Sequence, residues 1–303
     1  MSNERLSWFL LISLSIVWGS SFILMEKSMK PVGEEMVMGP YQVGAMRILI
    51  ASLTLLPIAV RHLKLLKTKT FWWLLIVGGC GNLIPALLFT LAETKIEPSM
   101  AGILNMGTSF FVVIIGVVIY KNKPKSAQVV GILCGAFGLY NILKSQLSFE
   151  QEDFFYALLV LAATLCYGIS LTTIKFKLHD VKPVVITSLS FFIILFPAAI
   201  ICLATNAFDP IVSNPNGLKS LGYLTVLSVI GTALAVFIFT KLVAISSHIF
   251  ASGVTYLIPV VAVLIGVLAG ENFELFNLVW VALILIGVYL MNKKSRIRLN
   301  KTV

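Results

Sequence analysis

The sequence predicts an all-α polytopic membrane protein of ten transmembrane helices arranged as two inverted five-helix repeats. Apolar runs of about 20 residues, the length that spans a bilayer core, occur ten times. The second five runs resemble the first. Gly81, Phe89, Ala101, Val113, Ile115, Gly116, Val117 and Asn122 recur without gaps as Gly231, Phe239, Ala251, Val263, Ile265, Gly266, Val267 and Asn272, always 150 residues on. Because five is odd, the second repeat must enter the membrane from the opposite side. Inverted repeats place a substrate site near the midplane between the halves. The division falls at residues 1–147 for helices 1–5 and 148–303 for helices 6–10.

Composition agrees. Of 303 residues, 58% are hydrophobic and 12% charged, and mean hydropathy is +0.98, whereas a soluble domain carries about a quarter charged residues. The net charge of +10 is spread over short loops rather than gathered on a module. It reads as topology, and no nucleic-acid partner is expected. Cys80, Cys134, Cys166 and Cys202 lie in apolar runs without CxxC spacing, so neither a disulfide framework nor a metal site is expected. No cofactor is expected either.

In chain order, the first run (6–26) is too long for a signal-peptide core, follows a single Arg and has no small-residue cleavage site behind it. It is expected to stay as helix 1, with Trp18 well inside. Helix 2 (41–60) carries Arg47 and Pro57, helix 3 (71–91) Asn82 and Pro85, and helix 4 (98–120) Asn105. Helix 5 (126–144) has Gly131, Gly135 and Gly138 at GxxxG-like spacing, read as packing inside the bundle. Helices 6 (154–174) and 7 (184–204) hold Tyr167 and Pro197, and helix 8 (219–240) holds Thr232. Helix 9 (248–269) has Thr255, Tyr256 and Pro259, and helix 10 (275–292) has Gly287.

Orientation follows from Lys and Arg, which concentrate in cytoplasmic loops. With both termini cytoplasmic, 17 of them fall inside and 5 outside, and Arg47 lies within a span. Eleven of the 13 acids fall outside. Adding or dropping one helix would scramble this segregation. A multi-pass protein of a cell membrane, of the bacterial inner-membrane kind, with inward termini is expected.

These residues resemble the EamA-type members of the drug/metabolite transporter superfamily. The likeness rests on Trp18-Gly19-Ser20-Ser21-Phe22, Arg47-Ile48-Leu49, the Ala-rich start of helix 4 and Gly270-Glu271 after helix 9, with Tyr167-Gly168 echoing Trp18-Gly19 and Pro197 echoing Pro57. It covers nearly the whole chain. The resemblance implies a central cavity lined mainly by helices 1, 3, 4, 6, 8 and 9, and export or exchange of small metabolites, amino acids included. Related branches carry nucleotide sugars and sugar phosphates. Two departures bear on subfamily: Ser109 stands where helix 4 commonly has Pro, and Lys121-Asn122 replaces the first-half Gly-Glu.

A polar side chain in a lipid-spanning helix bonds its own backbone, joins helices or faces a cavity. The expected substrate-binding set is Trp18, Asn82, Asn105, Tyr167, Thr232, Thr255 and Tyr256, with helix kinks at Pro85 and Pro259. Asn105 leads, because its amide offers two donors and an acceptor that one helical turn does not absorb. Its repeat counterpart is Thr255, and Asn82 pairs likewise with Thr232. For the whole set, interhelical glue and packing stay open as the alternative. An indole as deep as Trp18 needs a partner for its N–H or a wet cavity. Arg47 is read as snorkelling outward, or as a tether to Glu93, Glu26 or Glu97. No acid sits mid-span, so proton coupling falls back on Glu93 or Glu26.

The function these residues point to is a secondary carrier of small metabolites working by alternating access, in export or exchange. A sugar-phosphate or nucleotide-sugar type anion exchanger is the alternative, kept open by Lys175 and Lys241 at cytoplasmic helix ends. A non-transporting membrane enzyme or sensor is the reading from another class. The enzyme would need an interfacial nucleophile with its base, or a clustered acidic metal site, and His179-Asp180 is an isolated pair.

Overall fold

A computed structural model describes residues 3–67, 69–121, 126–146, 151–236, 238–239, 242, 254–271 and 274–292. Ten apolar helices follow one another among them. They are α1 (Glu4–Met29), α2 (Pro40–Val60), α3 (Thr70–Ala92), α4 (Pro98–Val118), α5 (Ser126–Gln146), α6 (Gln151–Lys177), α7 (Pro183–Ala204), α8 (Gly217–Leu234), α9 (Val254–Leu268) and α10 (Asn277–Asn292). Seven reach full membrane-spanning length, and α5, α9 and α10 contribute shorter apolar stretches. The start expected for helix 9 (248–253) lies outside the described residues.

Packing between helices comes in pairs related by the repeat. The most extensive contacts join α5 to α10 and α2 to α7, each the counterpart of the other. Three further sets are matched: α4 on α6 with α9 on α1, α3 on α6 with α8 on α1, and α3 on α7 with α8 on α2. Such pairing is what a twofold relation between two five-helix halves requires.

The halves are antiparallel. The last turn of α1 meets the C-terminal end of α3, where Glu26 and Glu93 share a cleft with Gly270 and Glu271 from the end of α9. This is the acidic end of the bundle. At the opposite, basic end the close of α6 meets the start of α3 and the close of α4: Lys177 Nζ sits 5.2 Å over the Trp73 ring, and Phe176 stacks on Tyr120 at 4.0 Å and 15°. So α1 and α6 run in opposite directions.

Lipid is as apolar as Leu, so helices gain little from burying apolar surface against one another and associate by close packing instead. Exposed Phe9, Ile12, Leu133, Phe137, Leu264 and Ile286 face outward, while Leu14, Met25, Ile48, Leu104, Leu189 and Phe191 fill the interior. Glycine sets the closest approaches. A Cβ on Gly287 would stand 2.6 Å from the Gly131 carbonyl oxygen and 2.9 Å from the Gly135 nitrogen, so the helix 5 glycines do pack within the bundle, against α10. Gly19 against Val261 and Gly168 against Phe111 are a second pair of close contacts related by the repeat.

Candidate functional site

Both repeats interrupt a helix at the same place. α3 passes through a π-helical turn at Gly79–Leu83, and α8 through one at Val229–Leu234, 150 residues later. A π-turn widens the ladder to i→i+5, and such turns collect at functional sites. Asn82 and Thr232 occupy the two turns and bond in the same way, Asn82 Nδ2 donating to Val77 O at 3.4 Å and Thr232 Oγ1 to Leu227 O at 3.2 Å, each five residues back. Pro85 follows at the head of the α-helical stretch Ile84–Ala92. Lacking an N–H, it cannot continue the wider ladder.

The aromatic residues cross between repeats. Trp18 Nε1 donates to the Gly231 carbonyl in the α8 π-turn at 3.2 Å, which supplies the partner its depth demands. Its ring meets Phe239 at 5.6 Å. Tyr167, its counterpart, meets Phe89 at 6.0 Å, and Phe89 is the counterpart of Phe239. Each ring therefore packs on a Phe of the other repeat rather than on its own counterpart across the axis. One turn along, Ser21 lies against Gly231 and Ser170 against Gly81, again as a pair.

Asn105 sits at a break in α4, between Pro98–Leu104 and Gly107–Val118. Its Oδ1 is buried without a hydrogen-bond partner among the described residues, and so is Thr108 Oγ1. Residues three apart share a helix face, so two unsatisfied polar atoms stand together there. Thr108 was missed by reading for repeat counterparts, although its spacing from Asn105 carries the signal. Thr255 is exposed in the first described turn of α9, where Pro259 is buried. The Tyr256 side chain and Lys241 lie outside the described residues.

At the acidic end a cleft of about 360 Å³ opens between α1, α3, α4 and α9. Glu271 lies partly buried in its wall, held over Gly266 by the left-handed Gly270 (φ +98°). Its Oε2 accepts from Ser99 N at 3.1 Å in the first turn of α4, a carboxylate placed where the helix dipole favours it. Burial raises its pKa, and the Ser99 hydrogen bonds partly offset the rise. The Gly270-Glu271 motif is thus a cap that ties the end of α9 to the start of α4.

Of the two readings of Arg47, the snorkelling one is not what the structure shows. Arg47 points inward: Nη1 donates to Met25 Sδ at 3.3 Å, while Tyr167 and Glu93 are the groups that act on its charge. Its Nε has no partner among the described residues. Two turns inside α2, it is half-buried among Met25 of α1, Tyr167 of α6 and Glu93 just beyond α3. Glu93 is 3% exposed, and neither carboxyl oxygen has a hydrogen-bond partner among the described residues. Burial raises its pKa well above the usual range, Glu26 adds to the rise, Arg47 opposes it and Glu271 adds again.

Ten apolar helices in two antiparallel halves, with Trp18 and Tyr167 each packing across onto the other half, have the architecture of a membrane transport protein. The family model described as the EamA-like transporter family matches the chain twice, over residues 5–144 and 154–293. The chain belongs to that family and is a multi-pass membrane transporter. It is similar to an uncharacterized transporter of Clostridium kluyveri, 24% identical over 89% of this chain and 90% of the relative. A second uncharacterized transporter, of Archaeoglobus fulgidus, is 23% identical over 95% of this chain and 99% of the relative. A third, of Haemophilus influenzae, is 29% identical over 41% of this chain and 40% of the relative. A protein crystal structure superposes with a TM-score of 0.61 at 16% identity, covering 94% of this chain and 95% of that one, which bears on the fold alone.

Proposed function

We propose that this transporter is a secondary carrier, exporting or exchanging small zwitterionic or uncharged metabolites such as amino acids, by alternating access around the crossed site of Trp18, Asn82, Asn105, Tyr167, Thr232, Thr255 and Tyr256. The observation that carries the reading is the matched pair of π-turns. Each repeat places a polar residue in such a turn and a residue of the other repeat against it, Trp18 bonding to Gly231 in the α8 turn and Ser170 lying on Gly81 in the α3 turn, so one site is built from both halves and rocking them changes which end reaches it. The polar groups at mid-depth are amide, hydroxyl and phenol, suited to neutral or zwitterionic solutes. Phosphorylated ones are held best by charge-assisted bonds, and Arg47, the cation near this site, already faces Glu93. The cleft at the acidic end and the Tyr120–Phe176 stack across α4 and α6 at the basic end fit a conformation open on the acidic side. From the Lys and Arg distribution that side is outside, with both termini in the cytoplasm of a bacterial inner membrane.

The test is release of metabolites from liposomes loaded with a cell extract, read by mass spectrometry for wild type and Asn105→Ala. Loss of one family of zwitterionic or uncharged metabolites through wild type, reduced at least tenfold in Asn105→Ala, is expected. Release of phosphorylated compounds instead, or equal release by both proteins, contradicts the assignment.

A further inference from the structure

Glu93 stands just beyond α3, beneath the acidic-end cleft that it helps to line. Its two oxygens have lost water without gaining a single hydrogen-bond donor among the described residues. An ionised carboxylate pays heavily for that, and a neutral carboxyl pays far less. The groups facing it pull in two directions. Glu26 on α1 and Glu271 beyond α9 oppose its charge, while Arg47 on α2 favours it. Tyr167 on α6 acts on Arg47 from the same interior, and Lys27, Lys30, Glu34, Lys95 and Glu97 complete the charged cleft wall. Arg47 and Glu93 feel each other's charge, yet Glu93 accepts no hydrogen bond from it.

A metal cation would need several oxygens around it. No group of three or more His, Cys, Asp or Glu side chains among the described residues is arranged to hold one. A proton needs one oxygen and no cavity. We propose that Glu93 is the coupling-ion site of this carrier and that its ion is a proton, taken from the water of the acidic-end cleft. With the proton bound, Arg47 is free toward Tyr167 and the midplane. With the proton released, Glu93 is a carboxylate and Arg47 is drawn to it. This rests on the carrier reading above.

Two measurements test it. The first needs no substrate: pH-difference infrared spectroscopy of the protein in lipid. A carboxyl band that persists above the pH at which exposed carboxyls ionise, absent from Glu93→Gln and shifted in midpoint in Glu93→Asp, is expected. The same band in Glu93→Gln, or an unshifted midpoint in Glu93→Asp, assigns it to another acid and overturns the proposal. The second is release from extract-loaded liposomes at acidic and alkaline external pH. Wild-type release should change with external pH, Glu93→Asp should keep the dependence and Glu93→Gln should lose it. Wild-type release indifferent to pH, undiminished dependence in Glu93→Gln, or release that stops when external sodium is replaced by potassium overturns the proton site and leaves the carrier reading standing. No release from wild type under any gradient overturns both.

Discussion

At the scale of residues, the acidic-end carboxyls carry the consequences most open to measurement. Glu93 has a folded-state pKa raised by burial and by Glu26, so between the ordinary carboxylate range and that raised value the folded protein holds a proton the unfolded chain has released. Stability therefore falls as pH rises through this window, and is fully present below it. Thermal melting in detergent should show wild type losing stability over that window while Glu93→Gln does not, the gap between them closing at the acid end. Glu93 and Arg47 also mark where sequence reading stopped short. Composition shows that Arg47 lies inside a span, and an Arg two turns from a helix end usually snorkels. Its inward direction depends on Met25 and Tyr167, which come from α1 and α6 and share no local pattern with it. Trp18 was more legible: its depth alone required a partner for the indole N–H, and only the identity of that partner, the Gly231 carbonyl, needed the fold.

At the scale of elements, the repeat made the ten helices and their order readable, because apolar length and Lys/Arg alternation are local signals. The π-turns were not readable. Gly81 with Asn82 and Gly231 with Thr232 recur in the two segments, but neither carries a local signal for the wider ladder, which lies where Ser170 comes close to Gly81 and Ser21 to Gly231. Capping behaves the same way: Glu271 reaches Ser99 N from a helix distant in sequence. Glu271→Ala removes that acceptor and should cost about 0.5–2 kcal/mol, seen as a lower melting temperature with the helical signal intact below it. The α5–α10 crossing is a sharper case. In Gly287→Leu the new side chain meets the backbone of Gly131 and Gly135, which has little room to yield, so destabilisation should reach the upper part of the about 1–3 kcal/mol typical of overpacking. Gly222→Ala, where an added Cβ meets nothing, is the matched control and should melt as wild type does.

At the scale of the whole molecule, contacts that pair off across the two halves make each end of the bundle a counterpart of the other. α1 beside α9 at the acidic end corresponds to α6 beside α4 at the basic end. A rocking motion that closes one gap must open the other, and the rings that cross between repeats, Trp18 on Phe239 and Tyr167 on Phe89, lie near the pivot. Spin labels placed by Lys27→Cys with Ala269→Cys report the acidic end, and labels at Ile119→Cys with Lys177→Cys report the basic end, in a background with Cys80, Cys134, Cys166 and Cys202 replaced by alanine. Pulsed electron resonance distances for the two pairs, in lipid with and without the cell extract that loads the transport assay, are the most direct measurement. A second population should appear in which the acidic-end distance shortens while the basic-end distance lengthens. Distances that stay single at both ends, or that change in the same sense, would contradict alternating access by two inverted halves.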